Sequence, residues 1–279
     1  MPDISVSMIN DLRARTNAGM MDCKKALLEN NGDMDAAIKQ LREKGLAIQV
    51  KRADKESNQG IIKAAVSADG QTIALAEVNC ETDFVAKTER FQAFAAKVAD
   101  RVLAGDLNVA ETMKDALVEI VTATGENVKI RRVARFAASA KTAISSYIHM
   151  GGKVGTMVEV EAGDAAALAK PEFQNLIHDL CLQAAAAAPR WLDRSEVPAS
   201  EIENEKDIYR AQVEGKPANI VENILKGKIE KFFGDTCLIN QPFVKEPKMT
   251  ITQLVADAAK AVGTALTVKR YVRFQLGAA

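Results

Sequence analysis

Apolar residues recur at helical spacing through the first 45 positions: Ile9 and Leu12, then Cys23, Ala26 and Leu27, then Ala37, Ile38 and Leu41. Three short helices are predicted. Thr16-Asn17-Ala18-Gly19 separates the first two, Asp33 caps the third, and Gly45 is expected to end it in a left-handed conformation. So few apolar residues build only a small core, which suits a docking module better than a catalytic domain. Residues 46–60 turn charged and end in polar residues and glycine, as a linker does. From Ile61 the period becomes two: Ile62, Ala64 and Val66 alternate with Ile61, Lys63 and Ala65, and Asp69-Gly70 supplies a turn before a second strand over 72–79. Helical spacing returns in Phe91, Phe94, Ala95, Val98 and Val102 behind a Thr88 cap. It returns again in Met113, Leu117, Ile120 and Val121, stopped near Gly125, and a strand over 128–136 follows.

The plan then repeats. Gly70, Glu77, Val78, Phe91 and Gln92 recur as Gly152, Glu159, Val160, Phe173 and Gln174, 82 residues further on (70 to 152, 91 to 173). A register held without a gap points to duplication. Val128-Lys129 and Arg135-Phe136 are matched with Val268-Lys269 and Arg273-Phe274, and a helix over 250–262 takes the place of the second helix of the first copy. Each copy is expected to be a three-stranded antiparallel sheet covered by helices. Two charged, helix-forming segments, 199–215 and 218–233, break at Gly215-Lys216-Pro217 and interrupt the second copy. They read as an antiparallel helical hairpin zipped by Ile202, Ile208, Val213, Ile220, Ile224, Leu225 and Ile229, leaving open a packed surface hairpin or a dimerisation arm. The expected class is α+β. Residues 1–55 form an N-terminal three-helix domain, 56–140 the first core subdomain, 141–198 and 234–279 the two parts of the second, and 199–233 the insertion.

Composition narrows the partner. With 37 basic and 37 acidic residues the net charge is zero, which removes the bulk electrostatic case for nucleic acid or an anionic membrane and favours a folded protein. Cys23, Cys80, Cys181 and Cys237 form no CxxC pair and read as free thiols of a reducing compartment. The start shows no signal-peptide pattern and no run is long enough to span a bilayer, so a cytoplasmic location is expected.

Candidate chemistry is sparse. His178 and Cys181, three apart on a helix, are expected in its apolar face rather than on a metal. Gly151-Gly152-Lys153-Val154-Gly155 lacks the order of a phosphate loop and falls at a hairpin turn. Lys129, Arg131, Arg132 and Arg135 make a basic strand, read as a solvated sheet face or a site for an acidic protein in preference to RNA. Met20-Met21 fits a partner contact or core equally, and His149, near a hairpin tip, has no catalytic neighbour. No arrangement of nucleophile, base or paired carboxylates emerges, and no metal or cofactor is expected. One step stands out: Thr82-Asp83-Phe84-Val85-Ala86-Lys87, between hairpin and helix, whose second-copy counterpart is Asp164-Ala165-Ala166-Ala167-Leu168-Ala169. Only the first copy carries Asp-Phe and Lys. The residues alone leave Phe84 open between a core or helix-entry role and exposed recognition.

Four stretches together resemble the translation elongation factor Ts family: residues 12–27 (LRARTNAGMMDCKKAL), 77–87 (EVNCETDFVAK), 125–133 (GENVKIRRV) and 241–244 (QPFV). They span nearly the whole chain in the family's order. The resemblance implies a guanine-nucleotide exchange factor for elongation factor Tu, without catalytic chemistry of its own. It also implies a ubiquitin-associated-like (UBA-like) N-terminal domain, a duplicated core and an inserted helical hairpin, with a homodimer or 2:2 complex open through that hairpin. It places the partner-binding set at Arg13, Met20, Met21, Thr82, Asp83, Phe84, Val85, Lys87, Gly125 and His149. By the same resemblance Asp83 and Phe84 are expected to form the wedge that disturbs the partner's Mg²⁺ site. Arg13, Met20 and Met21 are expected to face the partner's nucleotide domain, and His149 its third domain. Two departures accompany the match: Asn17 stands where the family commonly has glycine, and the chain stops at Ala279, so the C-terminal helical segment of some members is expected to be missing. A scaffold or ubiquitin-type binding protein docking through the three-helix module is the competing class, and a helical enzyme the weakest.

Overall fold

The computed structural model describes residues 4–16, 18–212 and 217–278. The expectations for Asn17, for Val213 and for the break at Gly215-Lys216 fall outside them. The N-terminal helices are α1 (Val6–Thr16), α2 (Met20–Glu29) and α3 (Met34–Lys51), closed around Ile9, Leu12, Cys23, Leu27 and Leu41. Asp33 caps α3, its Oδ1 accepting the Asp35 and Ala36 N–H groups at 3.0 Å. Gly45 does not end this helix; α3 runs on to Lys51. The glycine is buried where α3 crosses α7 (Lys114–Thr124), and a Cβ there would lie 1.9 Å from Thr122 Oγ1 and 2.9 Å from Val118 Cγ1. Close helix approach, not termination, requires it. The expected linker is correspondingly short, and its backbone is tied down: Asn127 Nδ2 donates to Lys55 O at 2.9 Å and Lys129 Nζ to Ala53 O at 2.9 Å.

Strands β1 (Gln59–Val66), β2 (Thr72–Cys80) and β3 (Lys129–Ala137) form one antiparallel sheet. Between β2 and β3 run α4 (Asp83–Ala86), α5 (Glu89–Leu103), α6 (Val109–Thr112) and α7. The second sheet holds β4 (Thr142–His149), β5 (Val154–Ala162) and β8 (Leu266–Gln275), covered by α8 (Pro171–Ala187) and α11 (Ile251–Val262). Alternation along β2 explains the layering: Ala74, Ala76 and Val78 face α5, while Ile73 and Leu75, with Phe136 of β3, face Met157 and Phe274 of the other sheet. The molecule is therefore mixed α+β, helices outside and two sheets back to back.

The repeat is kept in three dimensions. β5 follows β2 and α8 follows α5 at the 82-residue spacing, and bulges fall at Glu77/Val78 and Glu159/Val160. The third strands need one correction. Phe136 pairs with Ile73 and Phe274 with Gly155, which sets Arg132 against Arg270 and Ile130 against Val268. The match of Arg135-Phe136 with Arg273-Phe274 holds, whereas that of Val128-Lys129 with Val268-Lys269 is two residues out of register.

The basic strand is also corrected. Arg132 Nε donates to the buried Glu77 carboxylate at 2.6 Å, Arg135 Nε to Leu103 O at 3.0 Å and Arg131 to Ala278 O at 2.6 Å. Arg132 and Arg135 are thus committed within the fold, while Arg131 and Lys129 remain exposed, as a solvated face would have them. Cys181 is buried, but His178 is exposed, with its ring edge on Tyr147. Helices α9 (Ala199–Gln212) and α10 (Ala218–Thr236) pack together around Ile202, Tyr209, Ile229, Phe232 and Phe233, while Ile208 and Ile220 lie exposed outside that seam. A two-stranded pair, β6 (Pro242–Phe243) and β7 (Glu246–Thr250), went unpredicted. Beside it the buried Gln241 donates to Ala187 O and Asp235 O and accepts from Gln183, so this motif residue is spent on the core. No helix among the described residues is long and apolar enough to cross a membrane.

Candidate functional site

The step at 82–87 folds into a single helical turn, α4, set between two N-caps. Thr82 Oγ1 accepts Val85 N–H at 3.3 Å, and Thr88 Oγ1 accepts Phe91 N–H at 3.3 Å to start α5. Ala86 is buried against the sheet and Val85 packs half-buried beside it. The turn then throws Phe84 outward, 79% exposed. Burial of so large an apolar ring is the rule, so its exposure makes Phe84 a candidate contact. Asp83 pairs with Lys87 at 2.6 Å, and that contact lowers the Asp83 pKa. Thr82 and Val85, by contrast, commit their polar and apolar groups within the fold.

Gly125 ends α7 at φ +70° and turns the chain back toward this step. Glu126 then accepts Glu81 N–H at 3.0 Å, Thr82 N–H at 3.1 Å and the Thr82 hydroxyl at 2.6 Å. Glu81 accepts Asn127 N–H at 2.6 Å and holds Arg52 through both oxygens at 2.7 and 2.6 Å. The Arg52 contact holds its pKa at about 2. Beneath the turn the Cys80 thiol donates to Thr82 O at 3.1 Å, and burial together with the Glu126 charge pushes its pKa up to about 12, so it stays a thiol. Arg52, Glu81, Glu126 and Asn127 escaped the sequence reading. The acidic residues stood in plain view inside two motifs, but their backbone partners lie some 45 residues away and Arg52 lies 29 residues from Glu81.

Sequence-derived candidates outside the step sit on two further surfaces. Arg13 is exposed on α1, and Met20 and Met21, 53% and 74% exposed, open α2 and so are not core. His149 closes β4, exposed, its Nδ1 2.9 Å from the Tyr147 hydroxyl. The fold brings Gly125 and the 82–87 step together through Glu126, whereas His149 belongs to the other sheet.

A family model described as elongation factor TS matches residues 81–278, a span that opens at Glu81 and includes the step. Elongation factor Ts of Trichlorobacter lovleyi is 42% identical over 291 residues, covering 98% of this chain and 93% of that protein. The Desulfovibrio desulfuricans protein is 40% identical over the full length of both. The chain belongs to the elongation factor Ts family. It is thus a nucleotide exchange factor of translation elongation, and its partner is elongation factor Tu.

Proposed function

We propose that this chain drives GDP from elongation factor Tu by pressing Phe84 between partner elements that order the Mg²⁺ and phosphate site. The observation that carries this reading is the exposed, rigidly capped Phe84 turn. A ring with two rotatable bonds gains burial at low entropic cost and displaces backbone where it enters. Asp83, at the helix start beside it, hydrogen-bonds the displaced partner backbone. Arg13, Met20 and Met21 of a UBA-like module, residues 1–55, meet the nucleotide domain, and His149 the third domain. We read 56–140 as one core subdomain, 141–198 with 234–279 as the other, and 199–233 as a helical hairpin inserted in it.

The protein does no bond chemistry of its own in this reading. Its binding and that of GDP are coupled: if it weakens GDP ~1000-fold, about 4 kcal/mol, GDP weakens its own binding equally. Phe84→Ala is expected to slow release of a fluorescent GDP from elongation factor Tu about a hundredfold, the scale of losing a hot-spot aromatic, with an unchanged circular dichroism spectrum. An unaltered release rate in a folded variant removes the wedge.

A further inference from the structure

We infer that Glu81 and Glu126 are positioning residues for exchange, a pair of crossed carboxylates that brace the Phe84 turn against the end of α7 and, through Arg52, against α3. The inference rests on the reading of Phe84 given above. Glu126 fills the N–H groups of Glu81 and Thr82 and the Thr82 hydroxyl. In return Glu81 fills the N–H of Asn127, the residue after Glu126, and grips Arg52 just past α3. Each segment thus supplies the carboxylate that satisfies the other's backbone. Such charge-assisted bonds are the strong ones.

The turn needs this support. A four-residue helix does not hold its shape in water, and the exposed ring contributes no packing to keep it there. If the turn yielded on contact, binding free energy would go into ordering it instead of moving the partner's backbone.

The second copy serves as an internal control. Its turn, a 3-10 helix over Ala165–Ala169, is capped by Asp164, and Gln174 donates to Leu168 O at 2.7 Å as Gln92 does to Ala86 O at 2.6 Å. Yet the place of Phe84 is taken by Ala166, that of Glu81 by Gly163 and that of Glu126 by Thr264. Gly163 N–H simply donates to Ala265 O at 2.9 Å. The fold closes here with no carboxylate at the positions of Glu81 and Glu126, and the brace is present only where the ring is. That separates positioning from plain structure.

The test uses the full chain with Glu126→Ala and Glu126→Gln. Fluorescent GDP release is followed over a range of factor concentrations, and a single 4-fluorophenylalanine at position 84 is read by fluorine NMR. Glu126→Ala is expected to lower the limiting release rate about tenfold, as water replaces part of the three charge-assisted bonds lost, to narrow the fluorine line, and to leave the half-saturating concentration within about twofold. Glu126→Gln keeps one oxygen for the two N–H groups and an amide for the Thr82 hydroxyl, and should stay within about threefold of wild type. Unchanged release and line width in Glu126→Ala overturn the inference. So does a loss of rate matched by an equal rise in half-saturation and a lower melting temperature, which would mark a general structural role. A fully active Phe84→Ala would sink the reading of the ring instead, while the fluorine line still reports whether the carboxylates hold position 84.

Discussion

Arg132 and Arg270 illustrate what one residue does across two repeats. Arg132 neutralises the buried Glu77 of its own sheet and lays its guanidinium 4.6 Å from the Phe274 ring of the other. Arg270 does the reverse, pairing with Glu159 at 2.5 Å and lying 4.0 Å from the Phe136 ring. Glu77 is fully buried and also accepts Gly277 N–H at 3.0 Å. Removing Arg132 leaves that charge with no water to solvate it and only Arg131, 4.0 Å away, as a cation. Arg132→Met is therefore expected to cost about 3 kcal/mol in urea unfolding, whereas Arg135→Met, which only frees a carbonyl at Leu103, costs about 1 kcal/mol. Equal losses would show that the charge pairing is not what matters. In the sequence both arginines belong to one basic run, and nothing local separates them. The partner on the neighbouring strand does.

At the scale of elements, most boundaries were legible because their causes are short-range. The Asp33 and Thr88 caps, the stop at Gly125 and the period-two strands all act within about four residues. Gly45 was misread for the same reason. A glycine near the end of an apolar pattern looks like a terminator until another helix is found lying against it. Gly45→Ala thus sets two effects against each other. Alanine is the better helix former by about 1 kcal/mol, but its methyl would strike Thr122 and Val118 of α7, where overpacking costs about 1–3 kcal/mol. A net loss of about 1 kcal/mol is expected in chemical denaturation, partly recovered by adding Thr122→Ala. A stabilised Gly45→Ala protein would show that α3 does not press on α7 in solution.

Across the whole molecule, Arg52 ties the end of α3 to Glu81, and so to the segment that carries Phe84. The link depends on ionised Glu81. Its pKa lies at about 2 in the fold against an ordinary 4.5, so the folded value is the depressed one. The stabilisation is fully present above 4.5 and is lost as pH falls through the window from 4.5 toward 2. Acid titration followed by circular dichroism should show stability falling across that window, and Glu81→Gln should flatten the fall while lowering stability at neutral pH. An identical acid profile in the variant would mean that Glu81 carries no such linkage.

The sequence by itself determined the alternation of helices and strands, the repeat and the prominence of the 82–87 step, because periodicity, caps and turn residues act between near neighbours. It also carried the family, through motifs that identify without explaining. Only the tertiary structure decided that Phe84 points outward, that Arg132 and Arg135 are committed within the fold, and that Glu81 and Glu126 exchange backbone donors. Those outcomes depend on which groups meet once chain segments dozens of residues apart are closed upon one another. A carboxylate's effect is set by the donors it reaches there, and spacing along the chain does not encode that.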